Sequence, residues 1–503
     1  MSAFEGLSVG LATALSFHNV LFALAGCLCG TLIGVLPGVG PLATLAMLLP
    51  VTSYFPAESA LIMLAGVYYG AQYGGSTTAI LVNLPGESSS AITCIDGHQM
   101  ARAGRAGAAL AVAALASFVA GCFATIVIAA FAEPLSRLAV SFKPADYFSL
   151  ILFGLIGATA LSPGSMMLSI ASTLTGMLLG CIGTDLYTGV ERFTFSLRPL
   201  AAGIDFVCLA IGVFGLAEII ANLTRGSAEK TVLKGPISGR WLSAEEARRA
   251  WPASLRGTTV GSLLGVLPGG GASLASFAAY AIERRISREP ERFGRGAVEG
   301  VAAPEAANNA AAQTSFIPML MLGIPANAVM AVMIGALMIH GVVPGPEILI
   351  KRPDVAWGLI ASMLVGNLML LVINLPLIGV WVSLLRIPYS VMFPAIVLFC
   401  SVGAFSSGYS AFEVGLTAVL AAVGFFLIWF GCSAASLALG FMLGPMMEEQ
   451  FRRAMVLSRG DAMTFLSHPA SAMFLAAAAV ISVSVLLPTL SRVRKSAFHD
   501  EPR

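Results

Sequence analysis

Hydrophobic residues fill long segments of this 503-residue chain, and short polar or Pro/Gly-rich breaks separate them. Strand alternation over ~10-residue segments, the pattern of membrane β-barrels, is absent. The pattern therefore predicts an all-α polytopic membrane protein with about 10–14 crossings of ~20 apolar residues each, including broken or re-entrant segments. The predicted segments lie near residues 18–36, 58–84, 106–130, 145–161, 165–183, 201–222, 257–282, 301–324, 326–343, 356–380, 388–405, 411–431, 432–447 and 470–489.

Composition agrees with a bilayer-spanning protein. Hydrophobic residues make up 57% of the chain and charged residues 11%, with a mean hydropathy of +0.88, whereas a soluble protein averages about 25% charged residues. The net charge of +2 and the lack of a long basic tract give no reason to expect a nucleic-acid partner. Neither the eight cysteines nor the five histidines show ligand spacing, so no metal and no cofactor is predicted.

One motif occurs twice. Residues 30–40 read GTLIGVLPGVG and residues 261–271 read GSLLGVLPGGG. Such Pro/Gly breaks are tolerated in lipid only where they pack in protein or line a cavity, and their occurrence in two matching halves is typical of a transporter binding site. The motifs predict two transmembrane repeats, 1–224 and 257–503, joined by a basic cytoplasmic linker, 225–256. They also nominate substrate-binding glycines at Gly38, Gly40, Gly269 and Gly271.

The loops that follow the two motifs differ in charge. VTSYFPAES, at 51–59, carries no cation, whereas ERRISREPERFGRG, at 283–296, carries five arginines. Because positive loops stay in the cytoplasm, the loops are predicted to lie on opposite sides of the membrane, which makes the repeats inverted in topology. One conflict is left open: a strictly inverted second half would put Arg452 and Arg453 outside.

A polar stretch crosses the first half at 68–97. A helix that starts after its break presents free N–H groups, which together with hydroxyls suit a carboxylate, although close helix packing also uses small residues. Between residues 30 and 86 the only charged side chain is Glu58, so dipoles, hydroxyls and amides would have to hold an anion. The nominated substrate-binding residues are Gly74, Gly75, Ser76, Thr77, Thr78, Asn83, Pro85 and Gly86.

The second half contains a corresponding polar stretch at residues 300–330. We expect Pro304, Glu305, Asn308 and Asn309 to interrupt an apolar helix, and a second break follows that contains Pro325, another nominated substrate-binding residue. Asparagine and unwound-backbone oxygens suit Na⁺, and an ionisable residue at membrane depth is a functional candidate. Glu305, Asn308 and Asn309 are therefore nominated for binding a coupling ion, Na⁺ or H⁺. An interfacial position for Glu305 is the alternative.

No catalytic site can be nominated. The chain has no G-x-x-x-x-G-K-[ST] motif, and its Gly-rich stretches lack the strand-and-helix context of a dinucleotide site. The chain is thus predicted not to be an enzyme. A membrane-embedded enzyme acting on a lipid is a weaker alternative, since it would need catalytic acids or metal ligands at the loops.

Several long motifs occur in order along the chain: GVLPGVGP, YYGAQYGGSTTAILVNLPG, IDGHQMARAGRAGAAL, GVLPGGGASLASFAAYAIERR, FGRGAVEGVAAPEAANNAAAQTSFIPMLMLGIP and IHGVVPGPE. Through these motifs the chain, from about residue 20 to 450, resembles the large membrane subunit of the tripartite tricarboxylate transporters, the TctA family. The resemblance implies an ion-driven secondary transporter in the bacterial inner membrane, working with a small membrane subunit and a periplasmic solute-binding protein that delivers a carboxylate. A stand-alone anion transporter remains the alternative.

The resemblance also assigns individual residues and shows departures. The family usually has a glycine pair where Gln313 and Thr314 stand and a glycine where Ala326 stands, so the substrate is not fixed as citrate. The residues that carry over are Gly38, Gly40, Gly74, Gly75, Ser76, Asn83, Pro85, Gly86, Asp96, Glu305, Asn308, Asn309 and Pro325.

Overall fold

The computed structural model describes residues 3–36, 40–162, 165–185, 187–225, 242–267, 269, 271–384 and 389–486. This part of the chain is mainly helical, with one antiparallel pair of two-residue strands, β1 (Gly183–Thr184) and β2 (Glu191–Arg192). Shorter apolar helices accompany six that are long and apolar enough to cross a membrane, which confirms the all-α polytopic prediction. The six are Phe17–Val35, Thr93–Val140, Pro144–Leu161, Phe206–Thr224, Pro353–Asn374 and Ala411–Trp429.

Helices α1 to α10 form the first half of the described chain. Two π-helical turns, Ala101–Arg105 and Ile211–Leu216, join α5 to α6 and α9 to α10. The helices are α1 (Ala3–Ala14), α2 (Phe17–Val35), α3 (Pro41–Thr52), α4 (Ala57–Val82), α5 (Thr93–Met100), α6 (Ala106–Val140), α7 (Pro144–Leu161), α8 (Met166–Gly180), α9 (Phe206–Ala210) and α10 (Ala217–Arg225).

Helices α11 to α23 form the second half. They are α11 (Ala244–Val266), α12 (Gly271–Ile286), α13 (Glu299–Thr314), α14 (Phe316–Leu322), α15 (Ala328–Ile339), α16 (Ile348–Lys351), α17 (Pro353–Asn374), α18 (Ile378–Leu384), α19 (Tyr389–Gly408), α20 (Ala411–Trp429), α21 (Ala434–Leu457), α22 (Thr464–Ser467) and α23 (Pro469–Leu486). Short 3₁₀ turns lie at Ser88–Ser90, Arg198–Ala202 and Pro290–Arg292.

The helix before each Pro/Gly motif packs on its neighbour through glycines spaced four residues apart. In the first half, α2 meets the backbone of α4 in this way, and in the second half α11 meets α13. A Cβ atom on any of these glycines would overlap a carbonyl oxygen of the partner helix. In both pairs the residue numbers of the contacting residues increase in the same direction along the two helices, so the helices of each pair are parallel. They are Gly26 on Met63, Gly30 on Val67, Gly34 on Ala71, Gly257 on Ala303, Gly261 on Ala307 and Gly265 on Ala311.

Helices α4 and α13–α14 are counterparts in the two halves and cross in opposite directions. Each ends at a left-handed residue, Asn83 with φ 58° and Gly323 with φ 71°. The ring centroid of Tyr68 lies 6.5 Å from that of Phe316, whereas Ser76, two turns later in α4, contacts the earlier part of α13. This reversed order is what an inverted repeat requires. The membrane side of each loop, and the domain bounds, stay predictions.

These two counterpart helices also form the centre of the molecule. Every residue of α13 is buried, and α4 is buried from Leu64 to Val82. Their small residues allow this close approach, as is usual where membrane helices pack. Polar side chains on α4 and α13 are therefore held inside protein, away from lipid.

Two details differ from the sequence-based expectations. Helix α13 runs through Pro304 and the polar residues after it without a break, because alanines surround them. The expected interruption is wrong at that point, and the break comes later, at Ser315 and Gly323. In addition, α11 begins inside the predicted linker, where Ser243 and Glu246 form a capping box. Residues 226–241 of that linker lie outside the described residues.

Candidate substrate and ion site

Glu305 is a fully buried carboxylate at the crossing of the two halves. Its Oε2 atom accepts a 2.6 Å hydrogen bond from Ser76 Oγ of α4, and its Oε1 atom accepts one of 2.5 Å from Thr93 Oγ1 of α5. No lysine, arginine or histidine in the described part of the chain forms an ion pair with it. Because an unpaired charge is costly to bury, the site favours either a proton on Glu305 or a cation nearby.

Asn309 continues this polar face one turn further along α13. Its Nδ2 atom donates to Ser117 Oγ of α6 at 2.7 Å and to the Glu305 carbonyl oxygen at 3.1 Å. Its Oδ1 atom has no partner among the described residues, and neither side-chain polar atom of Asn308 has one. Unpaired polar groups at full burial need an explanation, such as a ligand or ion. A role of Asn308 and Asn309 as ion ligands stays a prediction.

A small cavity lies beside Ser76. It has a volume of about 20 Å³, and its polar lining comes from Tyr73, Ser76, Thr77, Ser117 and Asn374. A space of roughly 10–15 Å³ on this measure holds one water. The cavity therefore has room for a water or a dehydrated monovalent cation, but not for a carboxylate molecule.

A second acidic residue, Glu87, follows the break after α4. Gln72 donates through Nε2 to Glu87 Oε2 at 3.1 Å, and Ser89 Oγ donates to Gln72 Oε1 at 2.8 Å. Ser89 also bonds Glu87 directly. Gln72 precedes Ser76 by one turn of α4, and its carbonyl oxygen lies 2.9 Å from Ser76 Oγ. The Glu87 and Glu305 groups are thus linked through one face of α4.

The glycines after the first motif make a tight backbone crossing. A Cβ atom on Gly86 would overlap the carbonyl oxygen of Gly34 and lie 2.5 Å from Gly75 Cα. A Cβ atom on Gly74 would overlap the backbone of α2. Thr78 Oγ1 lies 3.0 Å from two carbonyl oxygens, those of Gly34 and Gly74. Packing accounts for these positions, and a substrate contact at them stays a prediction.

Other residues nominated in the first half face different surroundings. Thr77 Oγ1 donates to the carbonyl oxygen of Tyr73 at 3.3 Å and lines the cavity. Asn83 and Pro85 are exposed at the break. At Gly40 a Cβ atom would lie 3.8 and 4.0 Å from the two carboxylate oxygens of Glu218. Gly38 lies outside the described residues.

In the second half the motif packs on the later break. Gly269, with φ 78°, donates its N–H to the Ala326 carbonyl oxygen at 2.8 Å and lies against Ala158 of α7. Gly271 has φ 52° and begins α12, and Pro325 is buried. The structure therefore brings Gly269 and the Pro325 break together.

The loops of the two halves also meet each other. Ser88, after the first break, forms a 2.8 Å hydrogen bond between hydroxyls with Ser273 in the first turn of α12. The reciprocal contact also forms: helix α3, after the first motif, packs against α15, which follows the second break. Each half thus places the helix that follows its Pro/Gly motif, α3 or α12, beside the break of the other half.

Comparisons with known proteins show the family of the chain. The model of the tripartite tricarboxylate transporter TctA family matches residues 20–439. The chain belongs to the TctA family. It is therefore a membrane component of a tripartite tricarboxylate transporter, in a family of transporters and not of enzymes.

Two Agrobacterium vitis proteins are similar to this TctA-family chain. The uncharacterized 52.8 kDa protein in the TAR-I ttuC' 3' region is 53% identical over 501 residues, covering 100% of both chains. The uncharacterized protein in the TAR-II ttuC' 3' region is 52% identical over 241 residues, covering 48% of this chain and 100% of its own. No solved structure matches significantly.

The three residues that stand where the resemblance predicts glycine, Gln313, Thr314 and Ala326, lie in contacts between helices and loops. Gln313 accepts from Thr125 Oγ1 at 2.8 Å and donates to Asn367 Oδ1 at 3.0 Å, which ties α13 to α6 and α17. Thr314 Oγ1 donates to the Ala310 carbonyl oxygen at 3.0 Å. Ala326 accepts from Gly269. Gln313 thus lies two turns from Glu305, on its polar face.

Asp96, which the TctA resemblance carries over, is an anchor between the halves. Its Oδ1 atom accepts three backbone N–H bonds of 2.7 to 2.9 Å, from Gly294, Gly296 and Ala297. Its Oδ2 atom accepts from Tyr280 Oη at 2.8 Å. With its oxygens occupied, Asp96 holds the loop that leads into α13, and so it sets the position of Glu305.

Several functional candidates were missed from the sequence. Ser117 and Asn374 stand singly in apolar stretches, and Thr93 is one of several hydroxyl residues in the polar stretch at 68–97. None of the three belongs to a local motif, so only the fold brings them to Glu305 and the cavity. Glu87 could have been found, because it follows the Asn83-to-Gly86 break directly.

Proposed function

We propose that this chain is the large transmembrane subunit of a binding-protein-dependent secondary transporter in the bacterial inner membrane. It takes up a small di- or tricarboxylate. A periplasmic solute-binding protein delivers the carboxylate and a small membrane subunit completes the complex. Symport with Na⁺ or H⁺ drives accumulation, and Glu305 is the group that senses the ion.

One observation carries the proposal. The Glu305 carboxylate is fully buried, belongs to α13 of the second half and is bonded to Ser76 in α4 of the first half. A charge buried without a counter-charge is expensive, so binding of a proton or cation stabilises the site strongly. Because the bond joins counterpart helices, any movement of one half against the other changes the surroundings of the ion.

The coupling follows from electrostatics. An ionised Glu305 repels an incoming carboxylate across a low-dielectric interior. A proton or a cation at the site removes that repulsion, so the ion binds before or together with the substrate. Backbone N–H groups at the broken helices and nearby hydroxyls then supply the donors for the anion, since segment 30–86 offers no lysine or arginine.

The route for the substrate lies between the two halves. Alternating access requires the loop after the break of one half to separate from the helix that follows the Pro/Gly motif of the other half. The hydrogen bond between Ser88 and Ser273 of α12 is one contact that would break in this movement. Breaking and remaking contacts of this kind changes which side of the membrane reaches the site.

Reconstitution tests the proposal. The chain is placed in proteoliposomes with or without the small membrane subunit and the binding protein, and uptake of radiolabelled di- and tricarboxylates is measured under imposed Na⁺ or pH gradients. The proposal predicts accumulation only with all three proteins and a gradient. Full accumulation by the chain alone would favour a stand-alone transporter, and accumulation without either gradient would contradict ion coupling.

A further inference from the structure

The cavity beside Ser76 is lined by five polar residues and by the apolar residues Leu110, Ala113, Ala114, Leu375 and Ile378. Two of the polar residues have hydroxyl hydrogens that are engaged outside the cavity. Ser76 Oγ donates to Glu305 at 2.6 Å, with the Gln72 carbonyl oxygen also in reach, and Thr77 Oγ1 donates to the Tyr73 carbonyl oxygen. A hydroxyl has one hydrogen, so both oxygens are left with lone pairs for the cavity.

Asn374, which no motif indicated, lines the same space and has an acceptor atom without a partner. Its Nδ2 atom donates to the Leu370 carbonyl oxygen at 2.9 Å, whereas its Oδ1 atom has no partner among the described residues. The side chain is 5% exposed and lines the cavity. Tyr73, 4% exposed, also lines the cavity, and its hydroxyl has no partner among the described residues.

The end of a helix adds to this negative potential. Asn374 is the last residue of α17, and the chain turns before α18 begins at Ile378. Leu375 and Ile378 in this turn also line the cavity. The C-terminal end of a helix carries a partial negative charge, and such ends of broken helices coordinate Na⁺ in other transporters.

We infer that the cavity formed by Tyr73, Ser76, Thr77, Ser117 and Asn374 is a Na⁺ site, in which Asn374 Oδ1 is a direct ligand. Its size suits one dehydrated ion, and its oxygen atoms match the hard-oxygen preference of such cations. The ion lies one hydroxyl away from Glu305, since Ser76 contacts both, and so supplies the counter-charge that the carboxylate lacks. The inference rests on the proposed function, because it names the coupling ion and a new ligand for it.

The test measures Na⁺ binding on the purified full chain, without substrate or partner proteins. Melting temperature is recorded against NaCl, with choline chloride holding ionic strength constant, for the parent and for Asn374→Leu and Tyr73→Phe. Na⁺ is expected to raise the parent melting temperature. The half-saturating Na⁺ concentration is expected to rise about tenfold or more in Asn374→Leu, because the ion loses one oxygen ligand and such a contact contributes about as much as a hydrogen bond to a charged group. Tyr73→Phe is expected to shift it in the same direction.

A matched control removes another buried oxygen. Ser172 in α8 is 1% exposed and its hydroxyl has no described partner, yet it does not line the cavity. Ser172→Ala is expected to keep the Na⁺ response of the parent. If Asn374→Leu does not fold, Asn374→Asp tests whether residue 374 is a Na⁺ ligand, because aspartate keeps the oxygen and adds a negative charge. It should lower the half-saturating Na⁺ concentration.

Two results would overturn the site. One is a parent that NaCl stabilises no more than choline chloride does, and the other is an Asn374→Leu or Asn374→Asp variant whose Na⁺ response equals that of the parent. Failure of the proposed function has a different signature. In that case Na⁺ stabilises the chain and Asn374 variants shift its binding, while the reconstituted complex shows no gradient-driven carboxylate uptake.

Discussion

Ser76 donates a 2.6 Å hydrogen bond to the carboxylate of Glu305, and this bond joins counterpart helices of the two halves. The hydroxyl is also placed at the cavity. A single side chain thus touches the buried carboxylate and the space in which we infer the ion. Movement of α4 against α13 changes both contacts together, which is the link that an ion-coupled transporter needs.

Ser76→Ala should weaken ion coupling without unfolding the protein. Loss of one hydroxyl that donates to a charged acceptor costs about 1.5–3 kcal/mol, or roughly a tenfold or greater rise in the ion concentration needed for half-maximal uptake. Uptake in proteoliposomes, on variants that purify normally, measures this. Thr175→Ala, which removes a hydroxyl bonded only to the Ala171 carbonyl oxygen of its own helix, is the control. An unchanged ion dependence in Ser76→Ala would show that Ser76 only packs.

Gly86→Ala should lower the melting temperature and the yield of folded protein. The added methyl group would overlap the Gly34 carbonyl oxygen and meet Gly75 Cα at 2.5 Å, and overpacking costs about 1–3 kcal/mol or more. Gly415→Ala is the control, because a Cβ there has open space and alanine favours a helix. A Gly86→Ala protein that melts like the parent but no longer binds the carboxylate would instead support a substrate contact.

A charge cluster outside the membrane-spanning helices should make stability depend on pH. The backbone N–H of Tyr187 and the guanidinium of Arg192 hold the pKa of Asp185 well below its usual value, and Arg452 pairs with the same carboxylate at 3.0 Å. Folding therefore gains stability from Asp185 that is complete above its unfolded pKa of about 3.9 and is lost as the pH falls through the lower folded pKa.

Asp185→Asn should accordingly melt below the parent at pH 7, and the two should converge as the pH falls below about 4. Thermal melting across that range measures the difference. Asp461→Asn, at an exposed turn, is the control and should change little at either pH. An Asp185→Asn protein that melts like the parent at pH 7 would contradict a stabilising role for the cluster.

The sequence predicts the helices and breaks of this fold better than it predicts which of them contact each other. The Pro/Gly motifs, the later breaks and the polar helix around Glu305 were all visible, since each carries residues that apolar helices avoid. The antiparallel crossing of Ser76 and Glu305 was not, because it depends on packing between residues 229 positions apart. For Gly74 and Gly86 the sequence leaves both a substrate contact and close packing open, and only the structure shows the backbone atoms that a Cβ atom there would overlap.

The residues that complete the candidate site were missed for the same reason. Ser117 and Asn374 are single polar residues in apolar segments, where such residues often bond their own helix carbonyl groups. Thr93 is one of several hydroxyl residues in the polar stretch at 68–97, and nothing in the sequence distinguishes it from the others. Arg452, whose side of the membrane conflicted with a strictly inverted second half, forms ion pairs with Asp185 and Glu448. Its side of the membrane stays a prediction.

Cysteine labelling should place the two loops on opposite sides of the membrane. Ser53 and Arg288 are both exposed, and they lie in the cation-free loop and the arginine-rich loop respectively. In a background without the eight native cysteines, Ser53→Cys should react with a membrane-impermeant maleimide added outside cells, and Arg288→Cys only after permeabilisation. Reaction of both from the same side would contradict the inverted topology.

The most direct test of the account is gradient-driven accumulation by Glu305→Gln in the reconstituted three-protein complex, compared with carboxylate exchange at equilibrium. Glutamine keeps the size and the acceptor for Ser76 but removes the titratable charge, so the substrate path should survive while the response to the ion is lost. The account predicts that exchange remains within a few-fold of the parent and that accumulation against a gradient disappears. Accumulation by Glu305→Gln equal to that of the parent would show that Glu305 does not couple the ion to transport.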